Sequence, residues 1–285
     1  LRGVGRGPSV ITGGDLVVLQ RELLWGNAWH GAGDLLVVEA DESDGSLVHY
    51  TPAVGVGLNL QRDHKEMGEA AALFAALQAH TREAFVVGEG ENLKPLAEGA
   101  TVFGFGSRAQ VRGTDLALGP GSSRFRVDGV PFTLPVPGRH NVENALAAAA
   151  LVGETMGLSV HQIAAGLRDA TGAPGRLQPV VTGQPFLVLV DYAHTDDALQ
   201  NVLTAVRRLP RGRLRVVFGC GGGRDTSKRP RLARVAPDLA DHLCFTSDSP
   251  RMVFPQPILD QIFPPLGAAA QLKRLQVEWK TVGPV

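Results

Sequence analysis

VVFGCGGGRDTSKRP, residues 216–230, decides how the second half of this chain is built. Its apolar lead-in (Leu214, Val216, Val217, Phe218) has the character of a buried strand. The run breaks at Gly219, Gly221, Gly222 and Gly223, and then Arg224, Asp225, Lys228 and Arg229 arrive at a helix start. Strand, glycine turn and helix are the unit from which parallel sheets are wound. Glycines let backbone N–H groups close on an oxyanion, and a helix N-terminus favours negative charge. Two arginines and a lysine on the same turn add cationic donors for a phosphate or carboxylate. Glycines alone would serve a plain turn equally well; the charges beside them favour a site.

Moving outward, the same alternation repeats. FLVLVDY (186–192) predicts a strand and 196–209 a helix; 213–219 is a strand and 228–240 a helix. HLCFTSD (242–248) is a further strand, and PILDQIF (257–263) begins a helix. This order predicts a doubly wound, Rossmann-like parallel sheet, in which ligands bind beyond the carboxyl ends of the strands. Asp191, the turn 219–224 and the stretch TSDSPR (246–251) all fall at such ends.

The first half is less regular. DLLVVEA (34–40) and AVGVGLNL (53–60) predict strands, 66–82 a helix, FVVGEG (85–90) a strand, and 101–136 short antiparallel strands. PGRHNVENALAA (137–148) places Asn141 at the opening of an Ala-rich helix to Gly157, with a second helix over 160–169. GAPGRLQ (172–178) leads toward a boundary near 182–185. The expected class is α/β: a partial central ATPase domain with a mixed sheet and helices over 1–182, then the Rossmann-like C-terminal domain over 183–285.

Composition narrows the function classes. The 285 residues carry 28 basic and 28 acidic side chains, so no polybasic signature points to nucleic acid or a membrane surface. Cys220 and Cys244 have neither metal-ligand spacing nor a disulfide framework, and their apolar context suits small buried side chains. No apolar run approaches the roughly 20 residues of a membrane span, and no signal peptide is visible. The default expectation is a cytoplasmic protein. A start at Leu1 rather than Met adds the expectation of a fragment.

One acidic cluster remains. Glu39, Asp41, Glu42 and Asp44 follow one strand; Asn59, Arg62, Asp63 and His64 follow the next. Oxygen ligands and an imidazole at neighbouring strand ends suit Mg²⁺ or Mn²⁺ and, through the metal, ATP phosphates. Loop turns and helix caps are the competing use of such residues.

Taken together these motifs resemble the ATP-dependent Mur ligases of peptidoglycan synthesis. DYAHTDDALQNVL (191–203), FGCGGGRDTSKRP (218–230) and TSDSPR (246–251) are similar to the tripeptide-synthesising branch, which adds the third stem-peptide residue. EADESDGSLVHYTP (39–52) and NLQRDH (59–64) are more similar to the L-alanine-adding branch, and PGRHNVENALAA is shared by the superfamily. The likeness runs to about residue 263, and the tail beyond matches nothing expected there. It implies ligation of diaminopimelate or lysine to UDP-N-acetylmuramoyl-L-Ala-D-Glu through an acyl phosphate, with ATP and Mg²⁺. By motif, Glu39 and His64 would hold Mg²⁺; Asn141 and Asn144 would face the adenine, Arg176 the phosphates and Asp191 the ribose. Lys228, Arg224 and His194 would form the catalytic set, with Asp225 and Arg229 lining the same cleft. Asp248, Ser249 and Arg251 would receive the incoming amino acid. The implied partners are these substrates alone, with a monomeric protein.

The chain also departs from that pattern. No Gly-Lys pair occurs, so the phosphate loop is absent, and the nucleotide-sugar domain is expected to be missing too. The helix after the metal histidine has no lysine, as in the alanine-adding branch; Ser249 stands where asparagine is usual; and the closing C-terminal segment does not appear. The expectation is a fragment unable to turn over alone, from a parent that does. The alternatives are the L-alanine-adding ligase and a non-catalytic Mur-like nucleotide-binding protein.

Overall fold

The computed structural model describes residues 5–17, 19, 22, 26–60, 66–209, 212–222, 226, 228–248, 252–262 and 274–276. They fall into two compact units, Leu1–Val190 and Asp191–Val285.

The first unit begins with a small sheet of β1 (Ser9–Ile11), β2 (Ala28–Trp29) and β3 (Leu36–Val38), in which β1 pairs antiparallel to β2 and parallel to β3. A six-stranded sheet follows in sequence order: β4 (Val54–Gly57), β5 (Ala84–Gly88), β6 (Thr101–Gly104), β7 (Val111–Leu118), β8 (Ser123–Val127) and β9 (Val130–Leu134). Helix α1 (Met67–His80) connects β4 to β5. Helices α2 (Arg139–Met156) and α3 (Val160–Leu167) come after β9. Strands β4 to β7 are parallel and β7 to β9 antiparallel, so the expected antiparallel run over 101–136 holds only from β7 onward. β3 and β4 belong to different sheets and are not the neighbouring strands expected from sequence.

The sheet is covered on both faces, which explains the unbroken apolar run of β5. Period-2 alternation sends Val86 and Phe103 into one core with Leu146 and Ala150 of α2. Val87 and Val102 enter a second core with Ala70 and Leu77 of α1. Both valines of β5 are 0% exposed. At roughly 1.5–3 kcal/mol for each buried aliphatic or aromatic side chain, these two layers dominate the stability of the unit.

The expected strand over 186–192 is only partly formed. β11 (Leu189–Val190) pairs antiparallel with β10 (Gln178–Pro179) instead of joining the parallel sheet of the second half. That sheet consists of β12 (Arg215–Cys220), β13 (His242–Ser247) and β14 (Arg274–Gln276), all parallel. α4 (Asp196–Arg207), α5 (Lys228–Leu239) and α6 (Pro255–Ile262) accompany it. Leu199, Leu203, Ala233, Leu243, Ile258 and Ile262 form its core. At the amino end of the sheet, Arg207 grips Asp241 through two hydrogen bonds of 2.6 and 2.9 Å, and Asp241 also accepts Leu214 N–H at 2.7 Å. No described helix is long and apolar enough to cross a membrane.

Candidate active site

In the second unit Gly219 and Asp248 meet at the carboxyl ends of β12 and β13. The parallel register sets Gly219 opposite Thr246 and Cys220 opposite Ser247, so Gly221 and Asp248 leave the sheet from adjacent strand ends. The approach is tight: a Cβ on Gly219 would lie 2.3 Å from Thr246 O and 2.9 Å from Asp248 N. Glycine is required here by space. Asp248 is exposed at that rim. Burial pushes the Cys220 thiol up; Arg229 acts against this, and Asp248 adds to it.

Arg229, expected to line a cleft, is turned into its own unit. It is 3% exposed, donating to Gly221 O at 2.9 Å and to Gln261 Oε1. It is a strut that ties the glycine turn to α6, because a buried guanidinium needs acceptors for its donors. For Lys228 the structure describes the backbone, as the first residue of α5. Arg224, Asp225, Ser249 and Arg251 lie outside the described residues.

DYAHTDDAL forms the entry to α4. Ala193 N–H donates to Asp191 Oδ1 at 2.9 Å, and Thr195 caps the helix by accepting from Ala198 N–H at 3.2 Å. Asp191 thereby organises a turn, as a strand-end aspartate commonly does. His194 is exposed, with Nδ1 3.1 Å from Tyr192 O and its ring edge-on to Tyr192 at 5.1 Å.

In the first unit a second group forms around the start of α2. The helix opens at Arg139, capped by Gly138 with no side-chain cap, so Asn141 is its third residue and not its opener. Asn141 Nδ2 donates back to Pro137 O at 2.7 Å, and exposed Asn144 follows on the same face. Gly138 has φ +100°, and a Cβ there would lie 2.8 Å from both the His140 ring and Leu177 Cδ1. This packing brings the GRLQ segment onto the helix start: Leu177 is 2% exposed at φ 46°, and Arg176 beside it is exposed. The residue after Arg176 thus packs at the start of the helix that carries the two asparagines.

Glu39 follows β3, and its Oε2 accepts Gly13 N–H at 2.8 Å. Its carboxylate is a hard oxygen donor of the type that suits Mg²⁺. His64, the other expected ligand, lies outside the described residues, and among those described no three His, Cys, Asp or Glu side chains gather as a metal site. Asp41 and Asp44 accept Ser43 and Ser46 N–H groups at 2.6 and 2.8 Å, so part of the acidic cluster is turn-forming.

One element escaped sequence reasoning. Both oxygens of Glu89 accept backbone N–H groups, from Phe105 and Gly106, each at 2.7 Å. The Phe105 ring carries the Arg139 guanidinium at 4.1 Å. The GFG triplet at 104–106 was the available signal, because glycines on both sides of an aromatic suggest a close approach.

Comparison with known proteins matches the Mur ligase middle domain over residues 23–152 and the Mur ligase glutamate ligase domain over 175–278. The chain belongs to the Mur ligase family. The C-terminal match runs past residue 263 and takes in β14, which corrects the expectation that the tail lay outside the likeness. A UDP-N-acetylmuramoyl-L-alanyl-D-glutamate–2,6-diaminopimelate ligase of Bacillus cereus is 34% identical over 230 residues, covering 73% of this chain and 47% of its own. The protein of that name in Thermosynechococcus vestitus is 48% identical over 130 residues, covering 45% and 26%. Among solved structures, the UDP-N-acetylmuramate–alanine ligase of Thermotoga maritima superposes with a TM-score of 0.73 at 24% identity, over 92% of this chain and 59% of its own. A 2,6-diaminopimelate ligase superposes with a TM-score of 0.62 at 25% identity, over 93% and 61%. This Mur ligase chain spans about half the length of the Bacillus cereus relative.

Proposed function

We propose that the protein ligates diaminopimelate, or lysine, to UDP-N-acetylmuramoyl-L-Ala-D-Glu at the expense of ATP in peptidoglycan precursor synthesis. Residues 1–182 supply the central ATP-binding part and 183–285 the amino-acid-binding part. The observation that carries the reading is the Gly219 and Thr246 pairing, which brings the glycine turn and Asp248 to one rim. The names of these relatives agree with it.

In this reading the substrate carboxylate attacks the γ-phosphorus of ATP and ADP leaves. The incoming amine then attacks the acyl carbon, phosphate leaves and the amine gives up a proton. Asn141 and Asn144 hold the adenine, Asp191 the ribose and Arg176 the phosphates. Arg224 and Lys228 oppose the charge that develops on the transferred phosphoryl group, and His194 completes the set as a polar catalytic group. Asp248, Ser249 and Arg251 receive the amino acid; Arg251 would favour one with a distal carboxylate. Glu39, with His64, would hold Mg²⁺, which neutralises phosphate charge when bound. Closure of the site would protect the acyl phosphate from water.

The L-alanine-adding alternative keeps one specific support, since α1 carries no lysine. Phosphate release by the full-length protein with ATP and Mg²⁺ separates the readings. Turnover only with the L-Ala-D-Glu acceptor and diaminopimelate or lysine supports the proposal. Turnover only with UDP-N-acetylmuramate and L-alanine overturns it in favour of the other branch. Silence with both acceptors favours a non-catalytic nucleotide-binding protein.

A further inference from the structure

We propose that Glu89 and Phe105 are positioning residues for the nucleotide end of the site, acting through Arg139 on the first turn of α2. The inference rests on the reading that adenine binds at Asn141 and Asn144.

Glu89 follows β5, and its backbone N–H donates to Phe103 O at 3.1 Å. Its two carboxylate oxygens take the Phe105 and Gly106 N–H groups at 2.7 Å each, so this turn is held by two charge-assisted bonds. A Cβ on Gly104 would lie 2.3 Å from Glu89 Cδ, and one on Gly106 2.5 Å from Oε2. Only glycine on both sides of Phe105 admits the carboxylate this closely. The Phe105 ring is supported in turn, because a Cβ on Gly113 would lie 2.9 Å from it.

On this platform sits Arg139, its guanidinium 4.1 Å from the ring centroid and its Nε 3.0 Å from Glu143 Oε1 one turn along α2. Arg139 is the first residue of α2 and stands two residues before Asn141. An arginine free in solvent would leave the first turn to fray; one stacked and ion-paired holds it. None of Glu89, Phe105 and Arg139 need touch a ligand to set where the Asn141 amide points.

The test is calorimetric titration of the full-length protein with MgADP, for wild type, Glu89→Gln, Phe105→Leu and the double variant. Each single change is expected to weaken ADP binding about tenfold, as loss of an outer partner of a binding group does. The double variant is expected to lose little more than the worse single, because both act on one contact. KM for ATP rises with it, and KM for the amino acid stays unchanged. Backbone hydrogen exchange over 142–145 is expected to quicken in both single variants. Wild-type ADP affinity in folded Glu89→Gln overturns the proposal, as does unchanged exchange over 142–145. Equal ADP binding by wild type and Asn141→Ala refutes the adenine assignment instead, and the exchange measurement then decides the role of Glu89 by itself. If Glu89→Gln does not fold, Phe105→Leu carries the test under the same criteria.

Discussion

Replacing Gly219 with alanine tests whether the rim of the second unit depends on the contact between its two strands. The added Cβ would sit 2.3 Å from Thr246 O, whereas real Cβ contacts essentially never fall below 3.0 Å. The strand ends must therefore part by at least 0.7 Å. Both opposing atoms, Thr246 O and Asp248 N, are backbone, so no rotamer change relieves the clash. A ladder bond near 2.9 Å stretched by that amount passes beyond hydrogen-bonding range. Losing one or two such bonds at about 1 kcal/mol each, together with about 1–3 kcal/mol of overpacking strain, gives about 2–5 kcal/mol of local destabilisation. Native-state hydrogen exchange reports this directly: protection at 217–220 and 244–247 is expected to fall 30-fold or more, on the order of the factor of ten per 1.4 kcal/mol, with β5 and β6 unaffected. Ligation by the full-length protein is expected to drop at least about tenfold in kcat/KM, because Asp248 moves with β13. Unchanged protection at the strand ends would refute the reasoning outright.

The opposite sign is expected at Gly153, in the interior of α2, where an added Cβ meets nothing within 4 Å. Gly153→Ala is expected to stabilise the first unit by about 0.5–1 kcal/mol, seen as slower exchange in α2. The Cys220 thiol, pushed up by burial, remains protonated in the folded protein where an unfolded thiol ionises. Its folded value is raised, so its contribution to stability is complete below the ordinary thiol value of about 8.5 and is lost as pH rises beyond it. Alkylation of Cys220 is accordingly expected to be slow at pH 8.5. Asp248→Asn is expected to move its rate profile to lower pH; an unmoved profile would argue against a close Asp248.

Much of this protein was legible in its sequence because local periodicity and local chemistry dictate it. The β-α alternation from 213 to 262, the strand at FVVG and the Ala-rich helix over NVENALAA need only their own residues and their immediate neighbours. The meeting of Gly219 and Asp248 was equally readable, since parallel strands send their carboxyl ends to one edge. Strand partners were not. Leu189 and Val190 pair with Gln178 and Pro179, and β3 and β4 enter separate sheets, because pairing is settled by competition among distant edges. Arg229 was expected to line a cleft with its basic neighbours, yet the fold buries it against Gly221 O and Gln261, 32 residues along the chain. Glu89, Phe105 and Arg139 carry no periodic signal that links them. The sheet sets β5 beside β6 and packs α2 across both, and only that three-dimensional placement turns an ordinary glutamate and phenylalanine into the support of a helix end.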